Sequence, residues 1–283
     1  MLAAVPETAR ALSGSSNRLI GGGTMNLQGE PDLKPKKTAG AQVRRTEEGN
    51  WRLEIPEGQQ GVYRLAQLDD YSGRKRKEFP WNPPVSFSLR ARASAQNIPG
   101  TWGFGLWNDP FGMAILRGVE MLRLPALPNN AWFFFASPPN YLSLRDDLPA
   151  NGALAAAFRS SRGVLALATF GALALPLFFW KGGGRLLRRI GRRFVHEDAE
   201  SLSINPTEWH RYDLEWSEEG VIYRVDGEIV LNALRSPEAP LGSVIWVDNQ
   251  YAAFTPQGEL RFGTLANPEP AWIEVGEIAF QQG

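Results

Sequence analysis

Residues 85–93 read Val-Ser-Phe-Ser-Leu-Arg-Ala-Arg-Ala, with apolar and polar side chains alternating along the stretch. Because successive side chains of a strand point to opposite faces, this alternation predicts a strand with one buried and one solvated face. A second strand is predicted at residues 101–107, Thr-Trp-Gly-Phe-Gly-Leu-Trp, where Gly103, Gly105 and Trp107 share one face. Glycine inside a strand often marks the close approach of another backbone or of a ligand.

Similar strand patterns lie on both sides of this pair. They cover residues 51–55, 62–68, 132–135, 211–216, 221–225, 228–231, 244–247 and 272–280. Asp226-Gly227 separates two of these runs, and this dipeptide favours the positive φ angles of a tight hairpin turn. Many short strands with little helical periodicity predict an all-β fold, a two-sheet antiparallel jelly-roll sandwich with a helical apolar and basic insertion.

The composition excludes several kinds of site. The chain of 283 residues has no cysteine and two histidines, His196 and His210, so we expect no disulfide, no thiolate or multi-histidine metal site and no cofactor. The first residues do not have the pattern of a signal peptide, because Pro6 and Glu7 interrupt the apolar start. We therefore expect a cytoplasmic protein.

Three regions are expected along the chain. Residues 1–45 are predicted to form an irregular N-terminal arm, because glycine and a Pro/Lys-rich stretch dominate them. Residues 46–283 are predicted to form the jelly-roll domain, which a helical insertion at residues 153–195 interrupts.

The predicted insertion has an unusual charge pattern. No acidic residue lies between Asp147 and Glu197, while eight basic residues do, and the rest of the chain has 22 basic and 30 acidic residues. Residues 163–180 have no charge at all, which reaches the length of a candidate membrane span. A span conflicts with the fold, however, because strands of one sandwich are predicted on both sides of it.

The next residues favour a helix lying on an anionic membrane surface. Residues 184–194 place four apolar side chains on one helical face and five arginines around the other. The predicted membrane contacts are Phe178, Phe179, Trp180, Lys181, Arg185, Arg188, Arg189, Arg192 and Arg193. Two alternatives remain open, namely a lid over the concave face of the sandwich and an oligomer interface. Nucleic acid is not expected as a partner, because no aromatic side chains are interleaved with the arginines.

Three stretches resemble glycoside hydrolase family 16 and its concanavalin A-like relatives. They are residues 85–107, residues 209–230 with Trp-His-Arg-Tyr-Asp-Leu-Glu-Trp at their start, and residues 272–280. The resemblance implies a jelly roll with an aromatic concave cleft. It also implies a catalytic strand after residue 107 with Glu-x-Asp-x-x-Glu or a close variant, but Glu120 has no second carboxylate at the needed spacing. We therefore do not expect ordinary family 16 catalysis.

Other residues are candidates for a site. Asp109, Asp248 and His196 are the candidate acids or proton-transfer groups, although each also has a purely structural interpretation as a turn, strand-end or surface residue. A carboxylate beside aromatic rings can have a raised pKa and act as an acid. The candidate ligand-binding residues are Trp102, Trp107, Trp132, Tyr141, Trp246 and Asn249, with two or three of the rings expected in the core.

Two functions follow from these observations. The first is a membrane-peripheral binding protein with an aromatic cleft for a glycan or a glycolipid. The alternative is an enzyme, a hydrolase, isomerase or cyclase that acts on an apolar small molecule delivered from the membrane. The sequence does not decide whether the protein is an enzyme, and it gives no oligomeric state.

Overall fold

The computed structural model describes residues 26–28, 32–38, 40–110, 123, 126–160 and 182–283. Most of these residues belong to strands. In chain order the elements are β1 (Asn26–Gln28), β2 (Lys34–Lys37), β3 (Gln42–Arg45), β4 (Trp51–Ile55), β5 (Leu65–Asp69), a 3₁₀ turn (Arg76–Glu78), β6 (Val85–Ala93), β7 (Thr101–Trp107), β8 (Asn130–Ala136), β9 (Gly152–Ser160), α1 (Gly183–Phe194), β10 (Val195–Leu202), β11 (His210–Trp216), β12 (Val221–Val225), β13 (Glu228–Ala233), β14 (Gly242–Asp248), β15 (Gln250–Phe254), β16 (Leu260–Thr264) and β17 (Ala271–Gln282).

The strands form two large antiparallel sheets and one hairpin. The eight-stranded sheet has the order β13-β12-β11-β6-β17-β4-β3, and β1 also pairs with β17. The seven-stranded sheet has the order β10-β9-β8-β7-β14-β5-β2, and β15 pairs with β16. Strands that are distant in sequence lie side by side in both sheets, which confirms the predicted two-sheet jelly-roll sandwich.

Large apolar side chains fill the space between the sheets. Trp102 and Phe135 of the seven-stranded sheet stack at 3.6 Å between ring centroids. Phe133 packs edge-on against Tyr212 and Tyr223 of the opposite sheet, at 4.9 and 5.3 Å. These rings belong to one continuous core that contains side chains of both sheets, so its burial holds the sandwich together.

The outer face of the eight-stranded sheet is polar. Arg92 lies between the rings of Trp209 and Trp272, at 5.0 and 5.7 Å from their centroids, and Arg52 lies 4.1 Å from the Trp272 centroid. Glu274 accepts hydrogen bonds from Arg52 at 3.1 Å and from Arg92 at 2.7 and 2.9 Å. We call these five residues the Arg–Trp ladder. The guanidinium groups contact the indole rings and pair with Glu274, so these polar groups find their partners within the face itself.

Two predicted boundaries were wrong. The predicted irregular arm contributes three strands, β1, β2 and β3, because short edge strands need only partners for their backbone, and β17, β5 and β4 supply them. The predicted insertion began too early, because residues 152–160 form β9. That strand lies between β8 and β10, and its alanines fill both of its faces, which removes the alternation by which a strand is recognised.

The helical part of the insertion is α1. It ends directly at β10, so the chain returns to the seven-stranded sheet without a linker. Residues 163–180 and Glu120 lie outside the described residues. Among the residues that the structure describes, no helix is both long and apolar enough to cross a bilayer.

Candidate functional site

The outer face of the seven-stranded sheet carries a cluster of aromatic rings. Trp107 and Trp246 are nearly parallel at 6.2 Å, and Trp132 lies 5.6 Å from Trp246 and 5.3 Å from Phe134. We call these four residues the aromatic cluster. It occupies the face on which the sequence predicted a cleft.

Glycines in β7 make room for this cluster. A Cβ on Gly103 would lie 2.8 Å from the Trp246 ring, and a Cβ on Gly105 would lie 2.7 Å from the Cβ of Trp132. Each glycine also faces a carbonyl oxygen of β8 at 2.3 Å from the same hypothetical Cβ. The glycines in the strand therefore mark the approach of two indoles and of the β8 backbone.

The rings of the cluster are mostly inaccessible. Trp107 and Trp246 are each 6% exposed and Phe134 is 5% exposed, whereas Trp132 is partly exposed. Leu142, Leu148, Ala150 and Tyr63 pack against the same cluster. Of the cluster, Trp132 alone keeps more than a small fraction of its surface free for a ligand.

Trp102 is not a cleft residue. It is 2% exposed and lies between the two sheets, stacked on Phe135. The reason is the alternation along β7, which places Trp102 on the face opposite to Trp107. Trp102 is thus one of the candidate rings expected in the core, and its burial does not support a ligand contact.

The strand that follows β7 has no acid on its outer face. Its alternate residues on this face are Asn130, Trp132, Phe134 and Ala136. Retaining glycoside hydrolysis needs two carboxyl groups about 5–5.5 Å apart on such a surface. Asn130 is fully buried, and its side-chain oxygen and nitrogen have no hydrogen-bond partner within the described part of the chain. Within the described residues, β8 therefore places no carboxylate pair on this face.

Asp248 is a buried carboxyl group at the end of β14. It accepts hydrogen bonds from Thr101 Oγ1 at 2.8 Å, from the Gln250 amide at 3.2 Å and from the Tyr63 hydroxyl at 3.5 Å. Burial raises its pKa to about 7, although these hydrogen bonds act in the opposite direction. Trp246 Nε1 donates to the same Thr101 hydroxyl at 3.0 Å, so a chain of hydrogen bonds joins Asp248 to the aromatic cluster.

Asp109 has a structural role. It is fully buried and pairs with Arg123 at 2.8 Å, and the Arg123 guanidinium also donates to the Tyr71 and Arg74 carbonyls. Arg76 donates to the Asp109 carbonyl at 2.5 Å. These contacts tie the end of β7 to the segment after β5. Because Asp109 is fully buried and its side chain is ion-paired with Arg123, the predicted catalytic role of Asp109 is not supported.

Asn249 is also structural. Its side chain is fully buried, accepts from the Arg64 amide at 2.8 Å and donates to the carbonyls of Val62 and Leu265 at 2.9 and 2.8 Å. These bonds use both amide protons and the oxygen, and they join three loops. Nothing remains for a ligand, which corrects the prediction that Asn249 binds one.

Tyr141 supports the neighbouring loop. Its hydroxyl donates toward the carbonyls of Arg145 and Asp146, at 3.1 and 3.3 Å, and the Arg188 guanidinium lies 5.2 Å from its ring centroid. Both the polar tip and one face of the ring are thus engaged by the protein.

The described residues also line a charged cavity of about 410 Å³ beside β10, which is open to solvent. Its wall is built from the loop before β9, the end of α1, the start of β10 and the segment after β13. The lining residues are Leu144, Arg145, Asp146, Asp147, Arg192, Val195, His196, Glu197 and Arg235. Of the three predicted proton-transfer groups, His196 lies here, away from Asp248 and Asp109.

Glu197 is the most buried acid of this cavity wall. Burial raises its pKa, and the opposing contributions come from the Ser143 side chain and from the Leu144 amide, which donates to Glu197 at 2.8 Å. Leu144 and Val195 of the same wall also pack in the small apolar cluster that contacts Trp132. Trp132 thus packs against the same apolar cluster as two cavity residues, although it does not itself line the cavity.

Most of this cavity was missed from the sequence. The run Arg145-Asp146-Asp147 and the pair His196-Glu197 lie about 50 positions apart along the chain, and Arg235 lies further on. Only the position of β10 beside β9 brings them together. His196 and Arg192 were named from the sequence for other reasons, and the charged run 145–147 was a further available signal.

The arginines of α1 have two different environments. Arg188 is buried, bonds to the carbonyls of Ser143, Arg145 and Phe254, and pairs with Asp146 at 3.2 Å. Arg192 is more exposed but pairs with the same Asp146. A buried and fully bonded guanidinium cannot reach a lipid headgroup, so the predicted membrane contact of Arg188 was wrong.

The other three arginines of α1, Arg185, Arg189 and Arg193, are exposed. Arg185 donates to the Gln257 carbonyl at 3.2 Å and still faces solvent. Phe178, Phe179, Trp180 and Lys181, the remaining predicted membrane contacts, lie outside the described residues.

No family model and no curated protein matches this sequence. Solved structures similar to the chain include a β-glucanase of Bacillus licheniformis, at 11% identity over 92% of this chain and 99% of that chain with a TM-score of 0.45. They also include the catalytic domain of an endo-1,3-β-glucanase (laminarinase) of Thermotoga petrophila, at 10% identity, 87% and 81% coverage and a TM-score of 0.43. A third is an immunostimulatory antigen and pseudo β-1,3-glucanase of Mycobacterium tuberculosis, at 8% identity, 85% and 78% coverage and a TM-score of 0.43. These structures are of the kind that the sequence resemblance names, and the likeness is one of fold.

Proposed function

We propose that the protein is a membrane-peripheral binding protein that takes a glycan or a glycolipid headgroup and does not hydrolyse it as a family 16 glucanase would. The observation that carries the proposal is the outer face of β8. Asn130, Trp132 and Phe134 occupy the outward positions of the strand after β7, where the resemblance to family 16 implies carboxylates. A fold of the glucanase kind without its acids is suited to binding alone.

The charged cavity supports a polar ligand. Its volume, about 410 Å³, is within the range of small-ligand sites, and its wall combines guanidinium, carboxylate and imidazole groups. Sugar hydroxyls both donate and accept hydrogen bonds, so they match a wall of mixed charge better than an anion or a cation does. Trp132, which packs against the same apolar cluster as Leu144 and Val195, offers a partly exposed ring on which a sugar can stack.

The test uses a glycan array followed by calorimetry on the best oligosaccharide. We expect binding that falls at least about ten-fold in Arg235→Gln and Trp132→Ala, as loss of a charged hydrogen bond or of a stacking ring implies. Arg90→Gln, on the opposite sheet and of similar exposure, is the matched control and should bind as the intact protein does. Release of reducing ends from the bound glycan, or no binding across the array, would contradict the proposal.

The membrane part of the proposal rests on α1. Arg185, Arg189 and Arg193 are exposed, and Leu186 on the same helix is 38% exposed. Basic and apolar side chains together on one exposed helix favour an anionic interface. We expect the protein to sediment with vesicles of phosphatidylcholine and phosphatidylserine, less at high salt, and less when the three arginines are replaced by glutamine. Equal sedimentation with pure phosphatidylcholine would contradict an electrostatic surface.

The second candidate function is an enzyme acting on an apolar substrate, and Asp248 favours it. A carboxyl group with a pKa of about 7 beside buried indoles can donate a proton near neutral pH. The Thr101 hydroxyl links it to Trp246. The test is the turnover of lipid extracts by the intact protein and by Asp248→Asn. A product formed by the intact protein and not by Asp248→Asn would mean that the protein is an enzyme and does more than bind.

A further inference from the structure

Hairpin β15–β16 exposes two large apolar side chains. Phe262 is 72% exposed and Leu260 is 43% exposed. They are two positions apart on β16, so they lie on the same face of the hairpin, opposite Ala252 and Phe254 of β15. Exposure of a phenylalanine ring to water is unfavourable, and it indicates a surface that contacts an apolar partner.

The hairpin is fixed to the first turn of α1. Gly184 lies against the hairpin turn so closely that a Cβ there would be 1.9 Å from the Gly258 carbonyl oxygen. Arg185 donates to the Gln257 carbonyl at 3.2 Å, and Arg188 donates to the Phe254 carbonyl. Helix and hairpin therefore form one unit, which we call the helix–hairpin unit.

The charge of this unit is strongly basic. Helix α1 has five arginines and no acid, and on the hairpin Arg261 pairs with Glu259 at 2.9 Å. Arg185 lies at the hairpin turn, and Arg189 and Arg193 are exposed further along the same helix, so the helix–hairpin unit presents exposed cations together with the exposed Leu186, Leu260 and Phe262. Anionic lipid headgroups above an acyl layer have the complementary chemistry, because each exposed cation near such a surface contributes to binding while the apolar side chains leave water.

We propose that hairpin β15–β16 is a membrane-insertion element, with Phe262 and Leu260 entering the headgroup–acyl boundary of an anionic bilayer beside α1. This inference rests on the membrane part of the proposed function and names the side chains that enter the lipid. A second copy of this chain is the main competing occupant. The observed surface is basic and would meet its own charge in a symmetric pair, so it favours lipid.

The chain has no cysteine, so one engineered cysteine can be labelled without removing others. The experiment uses Phe262→Cys carrying an environment-sensitive fluorophore, in the full chain, with vesicles of phosphatidylcholine and phosphatidylserine. Ile229→Cys is the matched control, because Ile229 is 60% exposed on β13, at the far edge of the eight-stranded sheet. We expect a blue shift and a rise in emission for the label at 262 and none for the label at 229.

A second variant measures the affinity. Phe262→Ser with Leu260→Ser should lower vesicle partitioning about ten-fold or more, since burial of one large apolar side chain is worth that much. Ile229→Ser should leave it unchanged. All of these side chains are exposed, so the thermal unfolding of each variant should match that of the intact protein, and this is measured first.

The outcomes separate the two proposals. If no form sediments with vesicles, both the membrane part of the proposed function and this inference are wrong. If the intact protein sediments while the label at 262 stays in water, α1 alone makes the contact and the insertion element is wrong. If the signal at 262 rises with protein concentration without vesicles, the hairpin is a contact between copies, which also overturns the inference.

Discussion

The two outer faces of the sandwich differ in how their tryptophan rings are covered. Indole rings lie on both, yet the aromatic cluster is buried with few polar partners, while the Arg–Trp ladder keeps its rings beside cations that reach water. The difference follows from what covers each sheet. Leu142, Leu148 and Ala150 pack over the seven-stranded sheet, and among the described residues the other sheet has no such cover.

This difference determines where each face can bind a ligand. The ladder's cations already pair with Glu274, so a ligand would have to break those bonds to use them. The aromatic cluster gains its stability by excluding water, and in the part of the chain that the structure describes Trp132 is its partly exposed ring. Aromatic residues on a jelly roll therefore do not by themselves indicate an open cleft.

The largest expected effect is the loss of one indole from each face. Trp246→Ala should lower the free energy of unfolding by about 4 kcal/mol, because a buried ring and its hydrogen bond to Thr101 are lost and a cavity remains. Trp272→Ala should cost about 1 kcal/mol, since its half-exposed ring is held by cation–π contacts. Urea unfolding followed by circular dichroism measures both. Equal losses would mean that the two faces are equally buried in solution.

The next prediction concerns Asp248 at the end of the buried face. Its folded pKa of about 7 lies above the ordinary value of about 3.9, so the folded state binds a proton more tightly than the unfolded state does. The stability that this proton contributes is fully present below pH of about 4 and is lost as the pH rises through 7. Asp248→Asn should therefore be more stable than the intact protein at pH 8, by about 4 kcal/mol, and similar to it at pH 4.

Unfolding curves at several pH values check this. Glu218→Gln, at the exposed turn between β11 and β12, is the control and should follow the intact protein throughout. If Asp248→Asn and the intact protein show the same pH dependence, Asp248 is solvated in the folded state.

The smallest effect belongs to the ladder. Glu274→Gln removes the charge that pairs with Arg52 and Arg92. It should lower the free energy of unfolding by about 1 kcal/mol, because both arginines keep part of their surface in water. The loss should shrink at high salt, where surface pairs are screened. A loss above about 3 kcal/mol that salt does not change would show that this face is covered in solution.

The sequence was sufficient to predict the strands of the polar face. Residues 85–93 alternate strictly, and β6 (Val85–Ala93) matches that stretch residue for residue, because one face of it meets water. The predicted Asp226-Gly227 turn is confirmed by positive φ angles of 51° and 87°. On the other sheet, β9 was taken as helical because both of its faces are buried and its alanines leave no alternation.

The site was less predictable than the fold. That residues 130–136, which form β8, include no acid could be read directly from the sequence. The roles of Asp109, Asn249 and Trp102 could not, since each depends on a partner distant in the sequence or on which face of a strand is covered. The helical periodicity of α1 was correct, but Arg188 faces the body of the protein because carbonyl groups of a loop and of the hairpin surround it there.

The position of β17 has a consequence for how the protein is made. This strand, residues 271–282, lies between β6 and β4 and also pairs with β1, so partners separated by about 180 to 250 residues meet on it. During synthesis, the edges of β6 and β4 that pair with β17 remain unpaired until residues 271–282 leave the ribosome. Pairing over such long separations is slow and leaves strand edges unpaired in the meantime. The late arrival of β17 therefore makes this half of the sandwich the part that a chaperone would need to shield.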